Sequence, residues 1–427
     1  MPPQSISVDS LRIGIFIQLN LKWLAHPFFF NSFKIKSTDQ IQTLKELGIK
    51  EVLYFPEKSD CTPVLLESPL KQDKTPPPSP SPPPDAMWEN KRKQIEKLEK
   101  RRQQLQHCEK EYHRTIKQVS VVMQKLITGS EEATADADQL IHEIVDSLLM
   151  DQEAIVHLVN VKSKDEATFY HTLNVAILAM VLGREYGLNA EQVKLLGIGS
   201  LFHDIGKQKI PKSLLYKRGS LSPPELKIFE MHPQYGYQMM SQIERFPRDA
   251  LQIILQHHEA IDGTGYPKGL RDDEISILSK ITAIANNYDN LCNKLDPIES
   301  MTPYESLCHL FCRQKQQLDA QLLSLFISCL GVYPPGTIVR LNNEIISMVV
   351  SINPKKPLRP SILIYDPSVP KNEALIIDLN EFPDLEIDRS LRPSQLPTEI
   401  YVYLDPRTRV NYYFESTIDT RPTHRPH

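Results

Sequence analysis

Five histidines and one aspartate recur along the middle of the chain, and their types and spacing are those of a metal site. In chain order they are His171, His203, Asp204, His232, His257 and His258. Neutral imidazole is the commonest metal ligand in proteins, and a carboxylate beside it can bridge two cations. Any one of these histidines alone is more often a hydrogen-bonded core residue. Together with Asp204, they predict a two-metal hydrolytic site.

A glycine-rich loop follows the last two histidines in the stretch QHHEAIDGTGYPKG, residues 256–269. Gly263 and Gly265 permit positive φ and place no Cβ in the way of a ligand. Tyr266 offers a ring face or a hydroxyl to a guanine or a phosphate. Without the upstream histidines the stretch is typical of an ordinary Gly-Pro turn. With them, it predicts a loop that approaches a nucleotide closely.

Apolar helical segments carry these side chains. His171 begins HTLNVAILAMVLGREYG, His203 and Asp204 end VKLLGIGSLFHD, His232 lies in ELKIFEMHP, and His257 and His258 end LQIILQHH. Ser222 and Thr302 each begin a capping box with proline at the first helical position. Gly187 and Gly331 are placed as C-terminal stops. These boundaries predict a helical bundle over residues 131–332.

The composition divides the rest of the chain into four segments. Residues 1–70 mix β-like runs with one amphipathic helix, which predicts a small α+β domain. Residues 71–87 are proline-rich and predict a linker. Residues 88–130 predict a long helix with a heptad seam, which either dimerises as a coiled coil or packs on the next domain. Alternating runs over residues 333–427 predict a β-rich C-terminal extension.

Composition also limits the classes of function. A net charge of -4 over 427 residues gives no global bias toward nucleic acid or an anionic membrane. Residues 91–117 carry ten Lys or Arg against four Glu, but Tyr112 is the single Tyr, Phe or Trp among them, which favours a solvated helix face over a surface for base stacking. No apolar run reaches the roughly 18 residues of a membrane helix. The six cysteines contain no CxxC pair, and we therefore expect a cytoplasmic protein without a membrane span.

Several of these motifs resemble a known family. HDIGKQKIPKSLL, MHP and HHEAIDGTGYP look like the HD-GYP subgroup of the HD metal-dependent phosphohydrolases, bacterial enzymes that hydrolyse cyclic di-GMP. Residues 1–60 resemble the small N-terminal domain of unknown function that precedes some HD-GYP modules, and YPPGTIVRLNN with LRPSILIYDP resembles the β-rich tail of the subgroup. The resemblance implies a multidomain protein with an all-α HD-type helical bundle core, a small N-terminal α+β domain, a long linker helix and a β-rich C-terminal region.

The resemblance also implies a set of site residues and two divalent transition metal ions, with iron or manganese expected. The implied metal ligands are His171, His203, Asp204, His232, His257, His258 and Asn286. Asp204 would bridge the ions, and which imidazole serves which ion stays open. Lys207 and Asp204 are the implied catalytic residues, with Lys207 stabilising the phosphate oxygens. The implied substrate contacts are Lys207, Asp262, Gly263, Gly265 and Tyr266.

Three positions depart from the family pattern. Asn286, in IANNYDNL, stands where HD enzymes normally have the aspartate of ADxYD, which removes a negative charge from the metal site and predicts weaker binding there. Asp289 is expected to lie too far along the helix to substitute. Ala167 replaces the glutamate of a third metal, so we expect two metals. NKLDPIES replaces the RPY segment of many members, and its Lys294 is out of register.

Two functional hypotheses follow. The first is a phosphodiesterase that converts cyclic di-GMP to pGpG and/or GMP in bacterial second-messenger signalling, with a mixed GMP and AMP ring left open as substrate. The alternative is a catalytically impaired HD-GYP protein that acts as a cyclic-dinucleotide or protein-binding regulator. Expected partners are cyclic di-GMP, diguanylate cyclase-type or other signalling proteins, and a second copy through residues 88–127, with no nucleic acid.

Overall fold

The structure, a computed structural model, describes residues 3–64, 85–127, 132–150, 156–159, 167–294, 299–352, 356–405 and 411–414, apart from residues 22–24, 29, 218, 245, 368 and 372–373. Most of the expected proline-rich linker therefore lies outside the described residues. The chain forms two compact units. One comprises residues 1–102 with 365–375, and the other residues 103–364 with 376–427.

The N-terminal unit is built on a four-stranded antiparallel sheet with one helix. Its elements are β1 (Gln4–Ser7), β2 (Phe16–Gln18), β3 (Ser32–Lys34), α1 (Thr38–Glu46) and β4 (Glu51–Tyr54). The strand order is β1-β4-β2-β3. Its core contains Ile15, Ile17, Phe28 and Leu44, each at most 4% exposed. The small α+β fold expected from the sequence is confirmed.

A single long helix, α2 (Asp85–Ile127), follows the proline-rich segment. It begins at Asp85, three residues before the expected boundary, because the proline run that prevents a helix ends there. Met87 packs against the N-terminal core. The Lys91 ammonium, 3% exposed, donates hydrogen bonds to the carbonyls of His26 and Phe28. The first turns of α2 are thus part of the N-terminal unit.

The later part of the heptad seam on α2 is buried within the second unit. Tyr112, Ile116 and Val119 are at most 2% exposed. The ring of Tyr112 stacks on that of Tyr170, with centroids 6.1 Å apart. The sequence left two alternatives for this helix, a coiled-coil dimer or packing on the next domain. Residues 112–119 follow the second alternative and pack within the chain.

Ten further helices form the bundle of the second unit. They are α3 (Glu132–Met150), α4 (Ala167–Tyr186), α5 (Ala190–Phe202), α6 (Lys212–Leu215), α7 (Pro223–Phe229), α8 (His232–Met240), α9 (Arg248–Gln256), α10 (Ile277–Cys292), α11 (Pro303–Arg313) and α12 (Ala320–Leu330). The central helix α4 packs against α5, α10 and α12, and α5 packs against α9.

The predicted helix boundaries in the bundle are largely correct. The backbone N–H of Ser222 and of Thr302 donates to the glutamate three residues later, at 2.7 Å and 3.1 Å. Gly187 and Gly331 end α4 and α12 with φ of 94° and 73°. His171, however, lies in the second turn of α4 rather than at its start.

Two predictions inside the bundle segment are wrong. The spacing predicts helix nearly throughout residues 131–330, but Val156–Val159 forms a strand, β5, whose two valines favour a sheet. The segment around His232 is not one helix, since α7 ends at Phe229 and α8 begins at His232. Pro233, which suits a first helical turn, marks the new start.

The C-terminal region is a seven-stranded antiparallel sheet. Its other elements are β6 (Ile338–Leu341), β7 (Ile346–Ile352), β8 (Ser361–Ile364), β9 (Ile376–Asp378), β10 (Ile387–Leu391), α13 (Thr398–Leu404) and β11 (Asn411–Phe414). The order is β10-β6-β7-β5-β11, and β8 pairs with β7 and β9. The bundle segment thus supplies β5 to this sheet, and the fold class expected from the sequence is confirmed. No helix of the described residues is both long and apolar enough to cross a membrane.

Candidate metal centre

Asp204 lies at the centre of the site, and its two carboxylate oxygens face different histidines. Oδ2 is 3.4 Å from Nε2 of His171 and 3.4 Å from Nε2 of His203. Oδ1 is 3.3 Å from Nε2 of His232 and 3.7 Å from Nε2 of His257. Asp204 itself is only 5% exposed. A buried carboxylate with each oxygen facing its own pair of imidazoles is arranged to bridge two cations.

The potential ligand atoms form two clusters, in each of which all of them lie within 4.8 Å of one another. The first cluster consists of His171, His203 and Asp204. The second cluster consists of Asp204, His232, His257 and His258. The sequence alone left the division of the imidazoles open, and the geometry divides them in this way, with Asp204 common to both.

The same local hydrogen bond orients three of the imidazoles. Nδ1 of each donates to the carbonyl three residues earlier. The pairs are His203 with Ser200, His232 with Phe229, and His257 with Ile254, at 2.7, 2.8 and 2.9 Å. Because a carbonyl only accepts, Nδ1 carries the proton and Nε2 keeps its lone pair. The end of α5, the start of α8 and the end of α9 thus present metal-binding nitrogens to Asp204.

Several of these atoms are left without partners in a way that fits a bound cation. Nε2 of His171, Nε2 of His203 and Oδ1 of Asp204 are buried and make no hydrogen bond. Nε2 of His232 and Nε2 of His257 face each other at 3.3 Å, although their tautomers make both of them lone-pair atoms. Such an arrangement is unfavourable unless a cation accepts the lone pairs. The donor set of imidazoles and one carboxylate suits divalent transition metals.

Burial sets the protonation of the ligands. It lowers the pKa of His203, His257 and His258, which keeps these imidazoles neutral. Burial alone would raise the pKa of the Asp204 carboxyl, but the charge of Lys207 outweighs it and holds that pKa well below its usual range. His203, His257 and His258 are therefore neutral and Asp204 is ionised, which are the forms that bind metal.

His171 is held by a carboxylate rather than by a carbonyl. Its Nδ1 is 2.5 Å from Oδ2 of Asp289, a fully buried residue of α10. Burial lowers the pKa of His171, but the two carboxylates beside the ring, Asp204 and Asp289, outweigh it and raise that pKa to about 9. Asp289 also accepts hydrogen bonds from Asn174 and Asn293. Sequence reasoning assigned Asp289 no role, whereas in the structure it orients a ligand of the first cluster.

Lys207 lies beside the bridging carboxylate. It belongs to a 3-10 turn, Ile205–Lys209, and its ammonium donates to Oδ2 of Asp204. The side chain is 25% exposed, and its Nζ lies 5.7 Å from the ring centroid of Phe229. Because the Lys207 side chain is partly exposed, a phosphate oxygen that enters from solvent can also contact its ammonium group.

A close contact between two elements brings the second cluster to Asp204. A Cβ added at Gly206 would lie 1.9 Å from the carbonyl oxygen of His232 and 2.4 Å from the backbone nitrogen of Gly236. Only glycine therefore allows the turn after Asp204 to pack on the start of α8. Sequence reasoning missed this contact. The glycine in HDIGK was the available signal.

The glycine-rich loop packs against the second cluster. Gly263 has a φ of 83°, as the sequence predicts. Gly265 is required for close approach instead, since a Cβ there would lie 2.3 Å from the backbone nitrogen of Ala260. The ring of Tyr266 stacks on the imidazole of His258, with centroids 4.5 Å apart and planes 18° from parallel. One face of the tyrosine ring is therefore occupied by a candidate ligand.

Two carboxylates fix the shape of this loop. Oδ1 of Asp262 accepts the amide and the hydroxyl of Thr264 at 2.9 Å and 2.6 Å, so part of a predicted substrate contact is engaged by the turn itself. Glu259, 5% exposed, accepts the backbone N–H groups of Lys268 and Leu270 at 2.7 Å and 2.8 Å. Sequence reasoning did not single out Glu259, although it directly follows the paired histidines.

Asn286, Lys294 and Ala167 are the remaining positions singled out in the sequence. Asn286 is 1% exposed on α10, and its Oδ1 accepts a hydrogen bond from Asn290 at 2.8 Å. The ammonium of Lys294 lies 3.8 Å from the carboxylate of Glu299. Residues 295–298, in the segment that replaces RPY, lie outside the described residues. Ala167 is the first residue of α4 and has no ligand atom to offer a third metal.

Comparison with known proteins covers most of the chain. It matches a domain of unknown function (DUF3391) over residues 4–137, the HD domain over residues 153–322 and the KOW domain associated with HD domain over residues 338–399. It is 30% identical to a cyclic di-GMP phosphodiesterase of Pseudomonas aeruginosa over 84% of each chain.

Two further relatives match a smaller part. A cyclic di-GMP phosphodiesterase of Borreliella burgdorferi is 33% identical over 49% of this chain and 54% of its own length. A 3'3'-cGAMP-specific phosphodiesterase of Vibrio cholerae is 31% identical over 44% of this chain and 36% of its own. With its HD pair between two histidine clusters and its GYP loop packed on one of them, the chain belongs to the HD-GYP family of phosphodiesterases.

Proposed function

We propose that this chain is a metal-dependent phosphodiesterase that hydrolyses cyclic di-GMP to pGpG, GMP or both. The observation that carries the proposal is the position of Asp204, with each carboxylate oxygen 3.3–3.7 Å from Nε2 of two histidines. The relative from Pseudomonas aeruginosa, similar over 84% of the chain, supports the choice of substrate.

The residues divide the work of the reaction. Two divalent cations, iron or manganese, would supply a more acidic water and neutralise charge on the phosphate. His171 and His203 would hold one cation, and His232, His257 and His258 the other, with Asp204 shared between them. Lys207 binds a phosphate oxygen through its three N–H donors. No side chain is needed as a covalent nucleophile.

The loop of Asp262, Gly263, Gly265 and Tyr266 would form the nucleotide side of the site. Its glycines expose backbone N–H and C=O groups to a ligand. The stacking of Tyr266 on His258 leaves the hydroxyl and the opposite ring face for the substrate. The loop thereby places the bound nucleotide next to the second cluster.

Asn286 favours a second candidate function, a regulator that binds a cyclic dinucleotide without turning it over. Its amide brings no negative charge to the metal site, and its Nδ2 is buried without a hydrogen-bond partner. Stable binding of cyclic di-GMP without product, together with turnover gained by Asn286→Asp, would identify this candidate.

A product assay on anaerobically purified protein tests the proposal. The protein is loaded with Fe²⁺ or Mn²⁺ and incubated separately with cyclic di-GMP and 3'3'-cGAMP, and the products are separated by chromatography. We expect pGpG or GMP from the wild type and from the exposed control Lys209→Ala. Lys207→Ala should keep its metal and lose most turnover. Metal-loaded wild-type protein that cleaves neither dinucleotide would refute the proposal.

The setting of this activity also stays a proposal. All six cysteines are free thiols, which supports a reducing compartment such as the cytoplasm. Regulation through α2, assembly with a second copy and contact with diguanylate cyclase-type partners are consistent with a helix that runs from residue 85 to residue 127.

A further inference from the structure

One hydrogen bond links a buried amide of α10 to the protein surface. Asn286 is 1% exposed, and its Oδ1 accepts from Nδ2 of Asn290, an exposed residue one turn later, at 2.8 Å. Nδ2 of Asn286 is buried without a hydrogen-bond partner. In this arrangement the interior end of the buried amide is a donor with nothing to accept its protons.

The neighbours of this amide on α10 place it beside the first cluster. One turn earlier, Oγ1 of Thr282 is 2.9 Å from Oγ of Ser200, whose carbonyl holds Nδ1 of His203. Three residues later, Asp289 bonds to Nδ1 of His171 at 2.5 Å. Residues three and four apart share one face of a helix. The buried amide therefore lies on the face between the contacts to the two histidines of the first cluster.

The orientation of an amide decides whether it can bind a metal. Its nitrogen has no lone pair for a cation, whereas its carbonyl oxygen does. A half-turn of both amides about their last side-chain bonds keeps the hydrogen bond between Asn286 and Asn290, with donor and acceptor exchanged. The same half-turn directs Oδ1 of Asn286 inward. Because Asn290 is exposed, its amide can reorient without a packing cost.

We propose that Asn290 is the positioning residue that makes Asn286 a metal ligand. By accepting a hydrogen bond from Nδ2 of Asn286, it holds the carbonyl oxygen of Asn286 toward the cation of the first cluster. The inference rests on the proposed function, since it requires metal at that cluster. It concerns binding of the metal alone and not turnover.

Substitutions at Asn290 with opposite hydrogen-bonding character test this role. Aspartate only accepts and favours the ligating orientation of Asn286, whereas lysine only donates and favours the reverse. We expect Asn290→Asp to tighten Mn²⁺ binding at the first cluster by about tenfold and Asn290→Lys to weaken it by about tenfold, as is typical for residues that orient a ligand. Mn²⁺ titration followed by electron paramagnetic resonance measures both sites, and the site lost in His171→Ala is the first cluster.

Two controls separate orientation from charge. Asn287→Asp and Asn287→Lys make the same changes of charge at the residue next to Asn286. The native Asn287 amide donates to the carbonyl of Ala283 at 2.9 Å and not to Asn286. In an Asn286→Asp background either carboxylate oxygen can bind the metal. In that background, we expect the Asp and Lys variants at residue 290 to differ in Mn²⁺ affinity no more than the Asp and Lys variants at residue 287 do.

The outcomes separate this inference from the proposed function. An equal spread at residues 287 and 290, or a spread at 290 that persists in Asn286→Asp, would overturn the role of Asn290. Absence of Mn²⁺ from the first cluster in every variant would overturn it as well. A chain that binds Mn²⁺ and shows the expected spread, but cleaves no dinucleotide, would support the positioning role and refute only the phosphodiesterase proposal.

Discussion

At the scale of single residues, the first cluster depends on Asp289 as well as on its ligands. The Asp289 carboxylate receives Nδ1–H of His171 at 2.5 Å, and this bond aims Nε2 of His171 at Asp204. Carboxylates in this position fix the ring and raise its basicity as a ligand. The three other oriented imidazoles of the site use backbone carbonyls, which no substitution removes. Because the group that orients His171 is a side chain, a substitution at Asp289 can remove it.

We expect Asp289→Asn to weaken Mn²⁺ binding at the first cluster by about 10–100-fold, because the amide holds His171 with no negative charge. Binding at the second cluster should stay close to that of the wild type. Asn293→Ala is the matched control, since it removes a 2.8 Å hydrogen bond to the same carboxylate and keeps the bond between Asp289 and His171. Wild-type affinity of Asp289→Asn at the first cluster would show that Asp289 does not orient the ligand.

At the scale of elements, Glu259 stabilises the glycine-rich loop by accepting hydrogen bonds from its backbone. This buried carboxylate accepts two backbone N–H groups, from Lys268 and Leu270. Hydrogen bonds to charged groups contribute about 1.5–3 kcal/mol each. The Glu259 side chain therefore helps to hold the loop in the conformation that packs Tyr266 against His258.

We expect Glu259→Ala to speed hydrogen exchange at the amides of Lys268 and Leu270 by at least about tenfold, because each loses a charged acceptor. Hydrogen exchange resolved by mass spectrometry or nuclear magnetic resonance gives the rates. Asp273→Ala, an exposed acid of the following turn, should leave both amides unchanged. Unchanged exchange in Glu259→Ala would contradict the bracing role.

The elements also show which features a sequence can predict. Caps and stops at Ser222, Thr302, Gly187 and Gly331 act within a few residues, and local signals place them correctly. Strand β5 was missed because its partners, β7 and β11, lie far away along the chain, and pairing with them decides its conformation. The break between α7 and α8 was missed because a proline suits both a loop and a first helical turn.

The same distinction applies within the site. Histidines adjacent to HD and GYP motifs can be recognised from residue type and order alone. The roles of Asp289 and Gly206 depend on which elements come into contact, α10 with α4 and the HDIGK turn with α8. The division of the imidazoles between Asp204 oxygens has no sequence signal, since it follows from the directions in which three helices end or begin.

At the scale of the whole molecule, the two units should respond to different solution conditions. The clusters lie in the second unit, whereas the only two tryptophans, Trp23 and Trp88, belong to the N-terminal unit. Tryptophan fluorescence therefore follows one unit, and far-UV circular dichroism, dominated by the helices of the bundle, follows mainly the other.

We expect Mn²⁺ to stabilise the second unit alone, by about 2.7 kcal/mol for each bound ion when the free concentration is 100 times the dissociation constant of that site. The dichroism transition should move to higher temperature with Mn²⁺, and the fluorescence transition should not. Asp204→Asn is the control, in which the dichroism transition should lose most of its metal dependence. Equal shifts of both transitions would contradict this assignment.

The N-terminal unit should respond to pH through His26. Burial and the charge of Lys91 lower the pKa of this fully buried imidazole to about 4, whereas its ordinary value is 6.5. The unfolded unit then binds more protons than the folded unit between these values. Stability is therefore full above pH 6.5 and is lost as the pH falls toward 4.

We expect the free energy of unfolding of this unit to fall by about 2 kcal/mol between pH 7 and pH 5, at roughly 1.36 kcal/mol per pH unit below 6.5. Denaturant titration followed by tryptophan fluorescence measures it. His26→Gln should remove most of this dependence, and the exposed control His107→Gln should keep it. An equal pH dependence in the wild type and in His26→Gln would assign the effect to other groups.

The bridging of two cations by Asp204 is tested most directly by Mn²⁺ binding to metal-free protein, with stoichiometry and spin coupling read by electron paramagnetic resonance. We expect two Mn²⁺ per chain whose spins are exchange-coupled, with the signal of isolated Mn²⁺ lost as the second ion binds. Asp204→Asn should abolish the coupling. A single bound ion, or two ions with uncoupled spins, would contradict a bridged centre.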